Sequence, residues 1–96
     1  MTRSSQIADE AFVDAVLNEV ARARSKFPQP NPTIAALAEE AGELAKAMLH
    51  IREGKSTDWW RVYDEAVQVA ALALRAATEG DATLGVVPTR ENCFDG

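Results

Sequence analysis

Hydrophobic residues recur at helical spacing in the first quarter of the chain. Between residues 6 and 26, apolar side chains return at i, i+3, i+4 and i+7, namely Phe12, Val13, Val16, Leu17 and Val20. The polar residues that this pattern assigns to the opposite side are Asp14, Asn18, Glu19 and Arg22. The spacing is typical of an amphipathic helix that packs one side against a core. We expect Phe12, Val16 and Val20 to be core residues.

A proline-rich connector separates this helix from a second one. Three prolines at alternate positions in residues 27–32 remove backbone donors and disfavour helical backbone before them. The pattern predicts that Asn31 caps the next helix, with Pro32 at its first position. That helix extends to about Arg52, and Gly54 supplies its C-terminal stop.

A third, alanine-rich helix is predicted over residues 59–79, capped by Thr57 or Asp58. No segment alternates as a β-strand does, so the sequence predicts an all-α helical bundle of three main helices. The predicted division is a helical domain over residues 1–81 and an irregular C-terminal tail over residues 82–96. The second and third helices are apolar on more than one face, which predicts that oligomerisation completes the bundle, as a homodimer or homotetramer.

Composition and charge narrow the class of protein. The chain has 96 residues, enough for one domain with a modest core, and a formal net charge of −5 argues against nucleic-acid binding. No apolar run approaches the roughly 18 residues of a membrane span, so we expect no membrane partner. The single Cys93 cannot form an internal disulfide, which favours a reducing compartment. These features predict a cytoplasmic protein.

Acidic side chains interrupt two otherwise apolar helices. Glu40 and Glu43 lie on one side of the helix that contains residues 33–48, and Glu65 and Gln68 have the same i, i+3 relation in the third helix. Burying a carboxylate on a core-forming helix costs several kcal/mol unless a cation or strong donors compensate. If the two helices form an antiparallel hairpin, the four oxygen-bearing side chains face each other. Such a set suits Mg²⁺, with Mn²⁺ as an alternative ion.

These motifs carry a family resemblance. Glu39–Glu43 (EEAGE) followed by Glu65–Gln68 (EAVQ) resembles the EExxE…ExxD signature of the MazG-like all-α nucleotide pyrophosphohydrolases. The surrounding alanine-rich sequence is most similar to the small phage and bacterial MazG-like proteins, and the resemblance extends over Thr33–Asp81. It implies Mg²⁺-dependent hydrolysis of a (deoxy)nucleoside triphosphate between the α and β phosphates, which yields a monophosphate and pyrophosphate.

The resemblance also implies roles for individual residues. Glu40, Glu43 and Glu65 match metal ligands of the family, and Gln68 matches a fourth. Glu39 is a further ligand or orients the attacking water, so the predicted catalytic set is Glu39, Glu40, Glu43 and Glu65. Gln68 stands where the family pattern has Asp. Its carbonyl can coordinate Mg²⁺ but brings no negative charge, so we expect weaker metal binding.

Three residues near the acids are candidates for contacts with the substrate. Lys46 and Arg61 are placed to contact phosphates, and the indole of Trp59 to stack on a nucleobase. The alternative for the two cations is a solubilising surface role, and the alternative for Trp59 is packing.

Two other functions compete with hydrolysis. In the first, the protein keeps the fold and binds a nucleotide or a metal without turnover, because Gln68 impairs the site. In the second, the chain is a helical oligomerisation module whose acids are solvated, with Lys46 as the salt-bridge partner of Glu43.

Overall fold

The computed structural model describes residues 3–89, which form three α-helices and a short 3₁₀ turn. The elements are α1 (Arg3–Lys26), α2 (Thr33–Arg52), α3 (Trp59–Glu79) and the 3₁₀ turn Ala82–Leu84. These residues contain no β-strand, so the all-α prediction and the number of main helices are confirmed. α1 begins three residues earlier than its hydrophobic pattern predicts. Residues 90–96 of the predicted tail, which include Cys93, lie outside the described residues.

α3 is the helix that holds the bundle together. It packs against both α1 and α2, whereas α1 and α2 have no helix–helix contact within the described part of the chain. The core joins Val16 and Val20 of α1 to Val67 and Ala71 of α3, and all four are buried. Phe12 is partly buried against this core, so the predicted core residues of α1 are confirmed.

A buried arginine fixes the end of α1 on α3. Arg75 is 1% exposed, and its guanidinium donates to the Glu79 carboxylate and to the backbone oxygens of Ala23 (3.5 Å) and Phe27 (2.9 Å). The side chain of Gln29 in the connector also donates to Glu79, at 3.2 Å. Arg75 lowers the pKa of Glu79 to about 2, because its hydrogen bonds favour the ionised carboxylate. The proline-rich connector is therefore anchored by α3.

The start of α2 differs from the prediction. The helix begins at Thr33, Pro32 occupies the cap position, and no side chain of the preceding residues caps it. The predicted cap, Asn31, donates its side-chain amide to the Thr33 hydroxyl at 3.2 Å. The carboxylate of Asp81 accepts the hydrogen bond of the free Ile34 N–H at 3.0 Å. The prediction for Asn31 is wrong because a residue that follows α3 satisfies this donor.

The other helix ends follow the sequence closely. Asp58 caps α3 by accepting a hydrogen bond from the Arg61 backbone N–H at 3.2 Å. Gly54, with φ of 74°, ends α2, and Gly80, with φ of 70°, ends α3. A Cβ at Gly80 would lie 2.2 Å from the Val86 backbone oxygen, so only glycine fits there.

One face of α2 is apolar and exposed. Its side chains recur at helical spacing, and all of them are exposed: Ile34, Ala38, Ala41, Ala45, Met48 and Leu49. Leu37 and Leu44, on the adjoining side of α2, are partly buried, while Ala41 and Met48 lie on this exposed face. No helix in residues 3–89 combines the length and the apolar character that crossing a membrane requires.

Candidate functional site

The antiparallel packing of α2 and α3 brings the two acidic motifs together. Near one end of the pair, Glu43 lies 3.7 Å from Arg61, measured between carboxylate oxygen and guanidinium nitrogen. At the other end, Asp81 caps α2 at Ile34. Between these contacts Glu40 of α2 and Glu65 of α3 share a hydrogen bond. The pairing that an antiparallel hairpin predicts for Glu40 and Glu65 is therefore present.

The carboxyl groups of Glu40 and Glu65 lie in a cluster of negative charge. The hydrogen bond with Glu65, partial burial and the negative charges of Glu65, Glu39 and Glu43 raise the pKa of Glu40 to about 7. Two adjacent carboxylates cannot both ionise without cost, and a proton shared between them relieves the repulsion. A cation at the same place would relieve it too, so the pair can exchange a proton for a metal near neutral pH.

Glu39 and Glu43 lie beside this pair in more exposed positions. Glu39 is exposed, and the Glu43 side chain is 41% exposed in its ion pair with Arg61. Glu43 thus has Arg61, and not Lys46, as its cationic neighbour. Arg61 forms an exposed ion pair with Glu43, and its predicted contact with phosphate stays a prediction.

Gln68 contacts α1 through Glu19. Arg22 and a hydrogen bond from Gln68 hold the pKa of Glu19 below its usual value, against the opposing effect of burial. The side chain of Glu19 is only 12% exposed, so its assignment to the solvent side of α1 is wrong. The reason is its position: Glu19 follows Val16 by three residues, which places it at the margin of the apolar stripe, within reach of α3.

A cleft of about 210 Å³ lies between α1 and α2, with α3 as its floor. Its walls combine small apolar side chains with acids, amides and two arginines. The lining residues are Glu19, Arg22, Ala23, Phe27, Asn31, Ala36, Glu39, Glu40, Gln68, Ala71, Leu72 and Arg75. The cleft is smaller than the 300–1,000 Å³ typical of sites that enclose a whole small molecule. It therefore suits part of a ligand whose remainder extends past the acids.

None of the three predicted substrate contacts lines the cleft. Lys46 is exposed on α2, Trp59 is 59% exposed at the start of α3, and Arg61 pairs with Glu43 outside the cleft. The adjacent Trp60 packs edge-on against Tyr63, with ring centroids 5.7 Å apart, and Tyr63 packs in the same way against Phe12 at 5.5 Å. Tyr63 therefore links Trp60 to the α1–α3 core.

The donor set fits a metal held jointly by protein and ligand. Among residues 3–89, no group of three or more His, Cys, Asp or Glu side chains is arranged to hold a metal ion. Glu40 and Glu65 nevertheless supply two adjacent carboxylates, and Mg²⁺ in phosphate-processing sites is commonly bound by one or two carboxylates together with water and substrate oxygens. The chemistry of the pair fits Mg²⁺, whereas a complete protein cage is absent from the described residues.

The sequence pattern missed the contribution of α1. Glu19 and Arg22 line the same cleft as Glu39 and Glu40, together with Phe27 from the connector. The available signal was the i, i+3, i+4 spacing of Glu19, Arg22 and Ala23, which places all three on adjoining sides of α1. That spacing does not reveal which helix lies opposite, so the sequence alone favours a solvated surface.

Comparison with known proteins gave no match. No protein-family model matches the chain, and neither curated proteins nor solved structures show a similar protein. The case for a function therefore depends on the residues and geometry described above.

Proposed function

We propose that this protein is a MazG-like, Mg²⁺-dependent nucleoside triphosphate pyrophosphohydrolase. The observation that carries the proposal is the hydrogen-bonded pair of Glu40 and Glu65, which lies beside a cleft lined by Glu39 and Glu40. Two carboxylates that lack a compensating cation are suited to Mg²⁺ and a phosphate chain. The EExxE…ExxQ spacing of the same residues supports the family resemblance.

Each acid has a separate task in the proposed reaction. Glu40 and Glu65 would hold Mg²⁺ together with water and phosphate oxygens, and the ion would supply positive charge that neutralises the phosphate chain and activates water. Glu39, exposed at the cleft, would orient the water that attacks the α phosphorus and accept its proton. The bond from the α phosphorus to the oxygen bridging to the β phosphate breaks, and pyrophosphate leaves.

The test is a panel of canonical and modified nucleoside triphosphates with Mg²⁺ and then with Mn²⁺. Pyrophosphate and orthophosphate are quantified separately for the wild-type protein and for Glu40→Gln. We expect pyrophosphate release from one or a few substrates and a loss of at least 100-fold in the variant, with unchanged helical content. Glu53→Gln, a charge change at the exposed end of α2, is the matched control. Full activity in Glu40→Gln would remove the catalytic proposal.

A second candidate function is nucleotide or metal binding without turnover. It is favoured by Gln68, whose uncharged amide lies close to Glu19 and brings no charge to the acids. Gln68→Asp separates the two functions. A large gain in rate would mean that the natural site is impaired, whereas a loss would mean that the amide is an adapted part of a working site.

We also propose that the protein is a homo-oligomer in which α2 packs against a second copy. The exposed apolar face of α2 supports this, because a contiguous apolar helix face on a monomer marks an interaction surface. Three of its six residues are alanines, which allows two helices to approach closely.

A further inference from the structure

A triphosphate in the cleft needs positive charge from the protein as well as from a metal. The cleft is lined by Glu19, Glu39 and Glu40, and the cations among its lining residues are Arg22 and Arg75. Of these two, Arg75 is already engaged by Glu79 and by backbone oxygens at the end of α1, and its side chain is 1% exposed. Its donors are not free to meet a ligand.

Arg22 differs from Arg75 in exposure and in hydrogen bonding. Its side chain is 52% exposed, and its Nε donates to both carboxylate oxygens of Glu19, at 3.1 and 2.9 Å. The Nη2 group also donates to Glu19, while Nη1 has no partner in residues 3–89. Because a guanidinium carries five donors in a rigid plane, the Nη1 edge can meet an anion while Glu19 keeps the other edge.

The Arg22–Glu19 ion pair differs from an ordinary surface pair because the Glu19 carboxylate is largely buried. The Glu19 side chain is 12% exposed and lies close to Gln68 of α3, which lines the same cleft. One end of the Arg22–Glu19 pair is therefore held by the bundle, which reduces the conformational entropy that Arg22 loses on binding. Glu19 and Arg22 face Glu39 and Glu40 across the cleft, on α1 and α2 respectively.

We propose that Arg22, held in place by Glu19, is the residue of the cleft that binds the phosphate chain of the substrate. The guanidinium would donate to non-bridging phosphate oxygens, a planar contact that arginine makes better than lysine. This inference rests on the proposed function for the identity of the ligand, a nucleoside triphosphate. It also assigns Gln68 a positioning role, because the amide holds Glu19.

The experiment measures binding of inorganic tripolyphosphate with Mg²⁺ by isothermal titration calorimetry, so it does not depend on turnover. The variants are Arg22→Gln, Arg22→Lys and the matched control Arg24→Gln. Arg24 is on the same helix, pairs with Glu79 and does not line the cleft. Melting temperature and circular dichroism verify that each variant is folded.

We expect Arg22→Gln to weaken tripolyphosphate binding about tenfold or more, Arg22→Lys to recover only part of it, and Arg24→Gln to match the wild type. Absence of binding by the wild type, unchanged binding by Arg22→Gln, or an equal loss in Arg24→Gln would each overturn the assignment. Arg22-dependent binding without pyrophosphate release from any nucleotide would overturn the hydrolase proposal and leave the phosphate contact standing. Pyrophosphate release from a nucleotide by the wild type, together with unchanged tripolyphosphate binding by Arg22→Gln, would support the hydrolase proposal and overturn the assignment of Arg22.

Discussion

The carboxylate of Asp81 lies 3.0 Å from the backbone nitrogen of Ile34, so a residue that follows α3 caps the start of α2. Asp81 is 2% exposed, and its other oxygen accepts hydrogen bonds from the backbone and hydroxyl of Thr83. The contacts lower the pKa of Asp81, first through the Thr83 hydroxyl and then through Ile34. The cap thus closes the α2–α3 hairpin at the end opposite its connecting turn.

Removing this cap should open the start of α2. We expect Asp81→Ala to lower the free energy of unfolding by about 1 kcal/mol, and hydrogen exchange at the Ile34 amide to accelerate. Asp58→Ala is the matched control, since Asp58 caps α3 at Arg61 and does not touch Ile34. A protected Ile34 amide in Asp81→Ala would contradict the assignment.

The acid stability of the protein should depend on Glu79. Its pKa in the folded protein is about 2, below the ordinary value of 4.5, so its stabilisation is present above pH 4.5 and is lost as the pH falls towards 2. Glu79→Gln should therefore destabilise the protein at pH 7, by about 1.5–3 kcal/mol, and much less near pH 2. Urea unfolding at the two pH values measures the difference. An equal loss at both would show that the carboxylate charge is not responsible.

The Glu40–Glu65 pair should have the opposite pH dependence in protein kept free of metal by a chelator. The pKa of Glu40 is about 7, above the ordinary 4.5, so its stabilisation is present below pH 4.5 and is lost as the pH rises through about 7. Relative to the wild type, the melting temperature of Glu40→Gln should rise between pH 5 and pH 8. Glu39→Gln, at an exposed position, should change less. Parallel curves for wild type and Glu40→Gln would show that the repulsion is absent.

A charge on the exposed face of α2 should prevent self-association. Ala45 lies in the middle of that face, and Ala45→Glu should yield monomers in sedimentation experiments while retaining the helical content. Ser25→Glu adds the same charge at an exposed position near the end of α1 and should leave the assembly of the wild type intact. A wild-type protein that is monomeric at micromolar concentration would contradict the proposal.

The sequence was most informative where structure depends on nearby residues. Periodicity predicted α2 and α3 almost to the residue, and Gly54, Asp58 and Gly80 act locally at helix ends. The facing positions of Glu40 and Glu65 could also be predicted from the sequence. A short turn between two long helices favours an antiparallel hairpin, which brings these two residues together.

The remaining features depend on contacts that no local pattern reveals. Asp81 caps a helix that begins almost fifty residues before it, which makes Asn31 a plausible but incorrect choice. Glu19 seemed solvated because its contact with Gln68 exists only once α1 lies on α3. A solvated ion pair and a partly buried one have the same spacing in a sequence. Only packing against an element distant in the chain distinguishes the two.

The position of α3 in the bundle has a consequence for biosynthesis. α1 and α2 have no helix–helix contact in residues 3–89, and the partner of both is the last of the three helices to leave the ribosome. In proteins most helical stability comes from tertiary packing of an amphipathic face, so α1 and α2 lack their main source of stabilisation until residues 59–79 emerge. Domains generally fold as units during synthesis. In this chain that unit closes only when α3 has emerged, and the nascent α1 and α2 depend on residues 59–79 for their structure.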